Sequence, residues 1–148
     1  MTTIAVRIGK DGAEMASDSQ MTGSHIMPTQ CTKVVEINGH LVGIAGGAAA
    51  CMDFMRWYEK GAKRKKFPES CQDEENGCHA LVLTGRKVLL YQATATPIDA
   101  GKIAALGSGQ DFAIAALLCG KSAANAVRIA AKLDPFTGGP VRTRRIEK

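Results

Sequence analysis

Three short turn sequences constrain the fold of this chain more than any other feature. Each separates two segments of strand-like composition, and together they predict hairpins over residues 4–19, 33–45 and 80–92. The turns are Lys10-Asp11-Gly12, Asn38-Gly39-His40 and Thr84-Gly85-Arg86. Residues such as Gly, Asn and Asp tolerate the backbone conformations of tight hairpin turns, which join neighbouring antiparallel strands. The sheets are therefore predicted to be largely antiparallel.

Three segments have the periodicity or the capping signals of helices. Residues 48–66 predict the first helix and residues 112–119 the second. Ser122 is placed to cap a third helix that runs to about residue 132. The side chains expected on the buried face of the first helix are Met52, Met55 and either Trp57 or Tyr58.

The remaining segments complete a layered arrangement. Short strands are expected at 103–106 and 141–146, and a polar loop at 68–77. Two sheets with helices on their outer faces would bury all the apolar faces, so we predict an α+β fold. A length of 148 residues suits a single domain over 1–148.

Composition favours a globular protein. Hydrophobic residues make up 45% of the chain and charged residues 22%, which excludes a disordered chain. No apolar run approaches the roughly 20 residues of a membrane-spanning helix. The N-terminus lacks the basic and apolar regions of a signal peptide. We therefore expect a soluble, cytoplasmic protein without a membrane partner.

The cysteines and the basic residues each leave an alternative open. Five cysteines are scattered without a CxxC pair, so buried or incidental thiols are favoured over a zinc site around Cys71 and Cys78. The basic run at 63–66 is favoured as a solvated helix end over a nucleic-acid site, because cations suit that end of the helix dipole. The last arginines favour an exposed strand edge or tail; they are Arg142, Arg144 and Arg145. We expect no metal site built from side-chain ligands and no required cofactor.

The N-terminus carries a candidate nucleophile. If Met1 is removed, Thr2 places a hydroxyl and a free α-amine on one residue. A threonine hydroxyl is a weak nucleophile that needs an adjacent base, and an α-amine with a pKa of about 8 can be that base. The pattern alone is common, so the rest of the chain has to supply the specificity.

Six short strings in one order resemble proteasome β-type subunits, most of all the bacterial HslV-type peptidases among the N-terminal nucleophile (Ntn) hydrolases. They run through most of the chain: Thr2-Thr3-Ile4, Ala16-Ser17-Asp18-Ser19-Gln20, Lys33-Val34, Gly43-Ile44-Ala45-Gly46-Gly47, Leu106-Gly107-Ser108-Gly109 and Asp134-Pro135-Phe136-Thr137-Gly138. The resemblance implies a four-layer αββα sandwich with one outer helical layer shortened. It also implies a threonine endopeptidase that cleaves peptide bonds through an acyl-enzyme on Thr2, inside a homo-oligomeric ring.

The resemblance assigns a role to each catalytic candidate. Thr2 corresponds to the nucleophile, with its own amine as general base. Lys33 corresponds to the active-site lysine, whose cation would stabilise developing negative charge, and Asp18 to the carboxylate that orients it. Ser108 corresponds to a serine near the Thr amine, and Asp134 to the carboxylate that orients this serine and the N-terminus.

Further positions are assigned to substrate binding in the same way. Gly47, or alternatively Gly46, is expected to offer a backbone N–H as the oxyanion hole. Thr22 and Gly47 lie where the family pairs the substrate as an added strand. Thr137 stands where the family usually has a serine. The candidates for an apolar specificity pocket are Met21, Cys31 and Val35.

The chain also departs from the family. It is shorter between Trp57 and Cys78, where the family has a long second helix that faces the ATPase or outer-ring partner, so an ATPase unfoldase partner is in doubt. Met1, if retained, would block the amine of Thr2. A non-catalytic proteasome-like ring or scaffold, and a small-molecule amidase of the Ntn class, remain the alternatives. A structural cation between Asp134 and Gly139 is a further expectation by analogy.

Overall fold

The computed structural model describes residues 1–147, and its strands form two main antiparallel sheets. The four-stranded sheet has the order β10-β1-β2-β11. Its strands are β1 (Thr3–Gly9), β2 (Gly12–Ser17), β10 (Ile103–Gly107) and β11 (Arg142–Glu147). The five-stranded sheet follows chain order. Its strands are β5 (Val34–Ile37), β6 (His40–Gly46), β7 (Cys78–Leu83), β8 (Val88–Gln92) and β9 (Ile98–Asp99).

Helices cover the outer face of each sheet. Helix α1 (Ala48–Glu59) packs on the five-stranded sheet, and α2 (Gln110–Leu118) and α3 (Ala123–Leu133) pack on the four-stranded one. None of these helices is both long and apolar enough to cross a lipid bilayer. The resulting order of layers is helix, sheet, sheet, helix. The predicted α+β sandwich with antiparallel sheets is therefore confirmed.

Side chains alternate between the two faces of each strand, and this alternation produces the layers. In β1, Ile4 and Val6 face the core between the sheets, whereas Ala5 faces α2 and α3. In β6, Leu41 faces the same central core and Val42 faces α1. Each strand that is buried on both faces therefore contributes side chains to two apolar clusters.

The first helix is shorter than its sequence predicted. It ends at Glu59 rather than near residue 66, because Gly61 and Ala62 take positive φ angles of 99° and 52°. The side chain of Asn38 donates to the carbonyls of Tyr58 and Glu59, which satisfies the end of the helix. The basic run lies beyond it, in a separate 3-10 turn at Arg64–Lys66.

A compact segment after α1 packs into the same apolar cluster as that helix. The predicted polar loop at 68–77 contains a 3-10 turn, Glu69–Cys71, whose Cys71 side chain is fully buried. The ring of Phe67 packs edge-on against Trp57, with 4.9 Å between centroids. Trp57 and Tyr58 are buried, as predicted. The prediction that Met52 is buried was wrong, since this residue is 49% exposed.

Other boundaries follow the sequence signals. Ser122 is the N-cap of α3, and its hydroxyl accepts the N–H of Asn125 at 3.2 Å. The last strand is an exposed edge of its sheet, as the three arginines indicated. The hairpin of β3 (Gln20–Thr22) with β4 (Ile26–Gln30) and the short β9 were missed. Strand β4 is exposed along its whole length, so it carries no alternation that could have predicted it.

Candidate active site

Thr2 lies directly before β1, the strand between β10 and β2, and is 6% exposed. Gly107 of β10 lies against it, because a Cβ atom built there would come within 2.0 Å of the Thr2 carbonyl oxygen. The backbone around Thr2 is thus closely fitted against Gly107.

Lys33 and Asp18 form an almost fully buried ion pair beside Thr2. The Lys33 Nζ lies 2.9 Å from Asp18 Oδ1, and the two side chains are 6% and 0% exposed. Lys33 also donates to the backbone carbonyls of Gln20 at 2.6 Å and Met1 at 3.0 Å. The ammonium thereby uses all three of its donors, one of them on the carbonyl of the residue that precedes Thr2.

The Asp18 carboxylate has donors on both oxygens. Its Oδ1 accepts the backbone N–H of Thr3 at 3.0 Å in addition to Lys33, and Oδ2 accepts the N–H of Gly138 at 3.1 Å. These bonds connect β2, β1, the segment before β5 and the loop before β11. Asp18 thus fixes Lys33 relative to the start of β1.

A second carboxylate, Asp134, lies on the other side of the N-terminal segment. Its Oδ2 accepts the hydroxyls of Ser108 and Thr137, each at 2.6 Å, and its Oδ1 accepts the N–H of Phe136. Burial opposes ionisation of Asp134, but these hydrogen bonds and the nearby N-terminal ammonium outweigh it and lower its pKa. The Ser108 hydroxyl also lies 3.3 Å from the Thr2 carbonyl oxygen.

Thr3 connects the two carboxylate groups, a role that the sequence reasoning missed. Its N–H donates to Asp18, and its hydroxyl lies 2.6 Å from that of Thr137, which in turn donates to Asp134. Thr3 is fully buried. A threonine at the first position of a strand, directly after the candidate nucleophile, was the available signal.

The backbone N–H groups of Gly47 and Gly46, the two expected oxyanion donors, point to opposite sides of β6. The N–H of Gly47 donates to the carbonyl of Gly77 at 3.1 Å, so it is already used within the sheet. Residues of an antiparallel strand bond alternately to their two sides. Because Ile44 N–H bonds to Lys33 on the β5 side, the N–H of Gly46 faces that same side. Strand β5 begins only at Val34, so this edge is open beside Gly46.

The residues proposed for substrate contacts are only partly brought together. Thr22 ends β3, and Met21, Thr22, Cys31 and Val35 are all partly exposed. Val35 lines an open groove of about 270 Å³ between β5 and α1, together with Ile37, Met52 and Met55. Met21 and Cys31 are not among its lining residues. A larger cleft, of about 700 Å³, lies around Arg7 and Arg145, at the turn end of the β1–β2 hairpin rather than at Thr2.

The turn between Asp134 and Gly139 is the expected place of a structural cation. The carbonyls of Asp134, Pro135 and Gly138 all accept hydrogen bonds from protein donors. In the described part of the chain, no cluster of three or more His, Cys, Asp or Glu side chains is arranged to hold a metal ion. The expected cation stays a prediction.

Solved structures share this fold over the whole chain. Eukaryotic HslV from Trypanosoma brucei superposes with a TM-score of 0.82, covering 100% of both chains at 24% identity. BPH from Thiobacillus denitrificans has a TM-score of 0.73, covering 99% of this chain and 98% of its own at 18% identity. The structure of that BPH in complex with epoxomicin matches equally well, at 17% identity. No curated protein sequence matches the chain.

The assignment of the chain to a family rests on a separate comparison. A sequence model described as proteasome subunit matches residues 1–75, which is half of the chain. That span contains Thr2, Asp18 and Lys33, and the fold extends the likeness to the part that holds Ser108 and Asp134. The chain therefore belongs to the proteasome subunit family, and it has the fold of the HslV structure.

Proposed function

We propose that the protein is a threonine peptidase that cleaves peptide bonds in unfolded chains, with Thr2 as nucleophile after removal of Met1. The observation that carries this proposal is the position of Thr2. Lys33, paired with Asp18, donates to the carbonyl of the preceding Met1, and Ser108, paired with Asp134, lies 3.3 Å from the Thr2 carbonyl oxygen. Structural stability alone does not require two buried carboxylate groups around an N-terminal segment.

Removal of Met1 would prepare the site in two ways. The nitrogen of Thr2 would become a free amine that can accept the proton of the Thr2 hydroxyl. Lys33 would also lose the Met1 carbonyl, to which it donates at 3.0 Å, and this donor would become free beside Thr2. A nearby cation favours the negative charge that develops as the hydroxyl loses its proton.

The reaction would then follow from these groups. The Thr2 oxygen attacks the substrate carbonyl, and its proton passes to the α-amine, with Ser108 as a relay that Asp134 holds in place. The N–H of Gly46 stabilises the tetrahedral oxyanion. The leaving amine takes up the proton, and water then hydrolyses the ester on Thr2. The open edge of β6 beside Gly46 would pair the substrate as an added strand.

The direct test is the intact mass of the purified protein with and without epoxomicin. We expect loss of Met1 and one adduct on Thr2. Thr2→Ala is the matched control, because it keeps a small residue after Met1 and the free amine but lacks the hydroxyl. Retained Met1 without an adduct would overturn the proposal and favour the non-catalytic ring or scaffold. An adduct together with cleavage of small amides but not of peptides would favour the amidase.

We further propose that the single domain assembles into a homo-oligomeric ring. Large apolar side chains are exposed on and beside α2 and α3, and such patches mark interfaces. They are Phe112, Leu118, Leu133 and Phe136. Native mass spectrometry of the wild type and of Leu118→Glu should show an assembly that the variant weakens. A wild type that is monomeric at micromolar concentration would refute the ring.

An ATPase partner would have to recognise the shortened helical face between Trp57 and Cys78. A pull-down with an unfoldase tests whether such a partner binds.

A further inference from the structure

A cluster of cations begins where α1 ends. All the basic side chains of residues 60–66 are exposed, and we call this stretch the basic segment. Its cations are Lys60, Lys63, Arg64, Lys65 and Lys66. Three of them, Lys60, Lys63 and Lys66, line an open cleft of about 360 Å³. Within residues 1–147 no ion pair neutralises any cation of the segment, so its charge is available to a partner.

The aromatic rings beside the basic segment do not face solvent. Trp57 and Tyr58 are 5% and 7% exposed, and the indole N–H of Trp57 donates to the Lys63 carbonyl at 2.9 Å. Phe67 packs edge-on against Trp57. Proteins that hold single-stranded nucleic acid stack the bases on accessible aromatic side chains. The basic segment presents charge without such a stacking surface, which favours an acidic protein surface as its partner.

A loop of the same chain carries the opposite charge. Residues 73–76, here called the acidic loop, include Glu74 and Glu75, which are exposed and form no ion pair within residues 1–147. The Asp73 carboxylate accepts the N–H groups of Glu75 at 2.8 Å and of Asn76 at 2.9 Å. These bonds hold the loop in one shape, so little conformational freedom is lost when Glu74 and Glu75 bind a partner.

The two charged patches are anchored at opposite ends of α1. The acidic loop adjoins the start of the helix, since Gly47 N–H donates to the Gly77 carbonyl at 3.1 Å. The basic segment begins at Lys60, the C-cap. A helix of 12 residues separates these points by about 18 Å. This is about twice the Debye length of about 8 Å at physiological ionic strength, so the two patches do not neutralise each other within one molecule.

We propose that the basic segment of one copy binds the acidic loop of a neighbouring copy, so that the copies join head to tail. Each chain carries both patches, and a second copy therefore offers complementary charge at both ends of α1. The apolar patch on α2 and α3 lies on the opposite outer layer, and a patch that binds itself joins only two copies. A ring needs a head-to-tail contact as well. The closed ring rests on the assembly proposed above, whereas the contact itself does not.

The first test is carbodiimide cross-linking of the full chain, with isotope-labelled and unlabelled protein mixed in equal amounts. A carbodiimide joins an amine directly to a carboxylate, so it reports ion pairs in contact. We expect peptides of the basic segment joined to the peptide that contains Glu74 and Glu75, with one label and one unlabelled partner. These mixed products should disappear as the salt concentration is raised, because exposed charges are screened.

The second test reverses the charges of each patch. Lys63→Glu/Lys66→Glu makes both patches acidic, and Glu74→Lys/Glu75→Lys makes both basic. Each double variant should weaken self-association in sedimentation velocity by about tenfold or more, because attraction is replaced by repulsion. Their equimolar mixture should associate again. The chain with all four changes has the net charge of the wild type and should associate as the wild type does.

The control is Lys10→Glu/Lys102→Glu, which makes the same change in net charge at exposed lysines outside both patches. It should keep the association of the wild type. Leu118→Glu, which weakens the contact through α2 and α3, should leave an assembly larger than a dimer, because a head-to-tail contact continues from copy to copy.

Each contrary result overturns a stated part of the inference. Absence of mixed-label products between the two patches overturns the contact, and an assembly that persists without them leaves the ring to other surfaces. Failure of the fourfold variant to associate overturns charge complementarity, and a Leu118→Glu assembly that stops at a dimer overturns the head-to-tail order. A salt-sensitive complex with a DNA oligonucleotide, without mixed-label products, would assign the segment to nucleic acid instead. Mixed-label products from a wild type that forms no ring would support the contact and refute only the ring.

Discussion

Replacement of Asp18 by asparagine should reveal how much of the stability depends on the ion pair beside Thr2. Asp18 is 0% exposed, and its three nearest polar partners, Lys33, Thr3 N–H and Gly138 N–H, are all donors. An amide can present an acceptor on one side only, so its NH₂ group would face a donor. The Lys33 side chain, 6% exposed, would also lose its counter-ion.

The size of the effect follows from this geometry. Removing one partner of a buried ion pair costs about 3–5 kcal/mol, because it leaves an uncompensated buried charge. At roughly 2–4 °C per kcal/mol for a domain of this size, the melting temperature should fall by about 6–20 °C. A solvent-exposed salt bridge should contribute much less to stability. Arg56→Met, which removes an exposed pair with Asp53, should cost less than about 1 kcal/mol.

The assay is equilibrium urea unfolding of all variants at one pH and one protein concentration, since assembly would add to the apparent stability. The variant Asp18→Asn/Lys33→Met should be more stable than Asp18→Asn, because it removes the uncompensated charge as well. Our reasoning would be refuted if Asp18→Asn cost no more than Arg56→Met, or if the additional change at Lys33 brought no recovery.

Three further variants test separate parts of the structure. The pKa of Asp134 is lowered on folding, so its contribution to stability is present above its ordinary value of 3.8 and is lost as the pH falls through the lower folded value. The difference in unfolding free energy between wild type and Asp134→Asn should thus shrink in acid; a difference that stays constant down to about pH 2 would contradict this. Ser122→Ala removes the cap of α3 and should cost about 1 kcal/mol in urea unfolding, whereas the exposed Ser24→Ala should cost almost nothing, and equal effects would argue against capping. Phe67→Ala should destabilise the fold by about 1–3 kcal/mol and alter the fluorescence of Trp57, and an unchanged spectrum would show that Phe67 does not cover that ring.

The sequence by itself determined the layers and the order of the elements. Its turn signals and strand alternation are local, and hairpins require only local contacts, so the antiparallel sheets could be predicted from the residues between positions 4 and 92. The cap at Ser122 has a local signal of the same kind. The end of α1 at Glu59 does not, because it depends on the positive φ of Ala62 and on a side chain from the β5–β6 turn.

The candidate site divides in the same way. The family resemblance assigned Thr2, Asp18, Lys33, Ser108 and Asp134 one at a time, from strings along the chain. Only the tertiary structure decided that Thr3 joins the two carboxylates, because its partners are 15 and 134 positions away. It also shows that the N–H of Gly47 donates to Gly77 whereas that of Gly46 faces the open edge, since the direction of an N–H depends on the pairing of β6 with its neighbours, which two adjacent glycines cannot reveal.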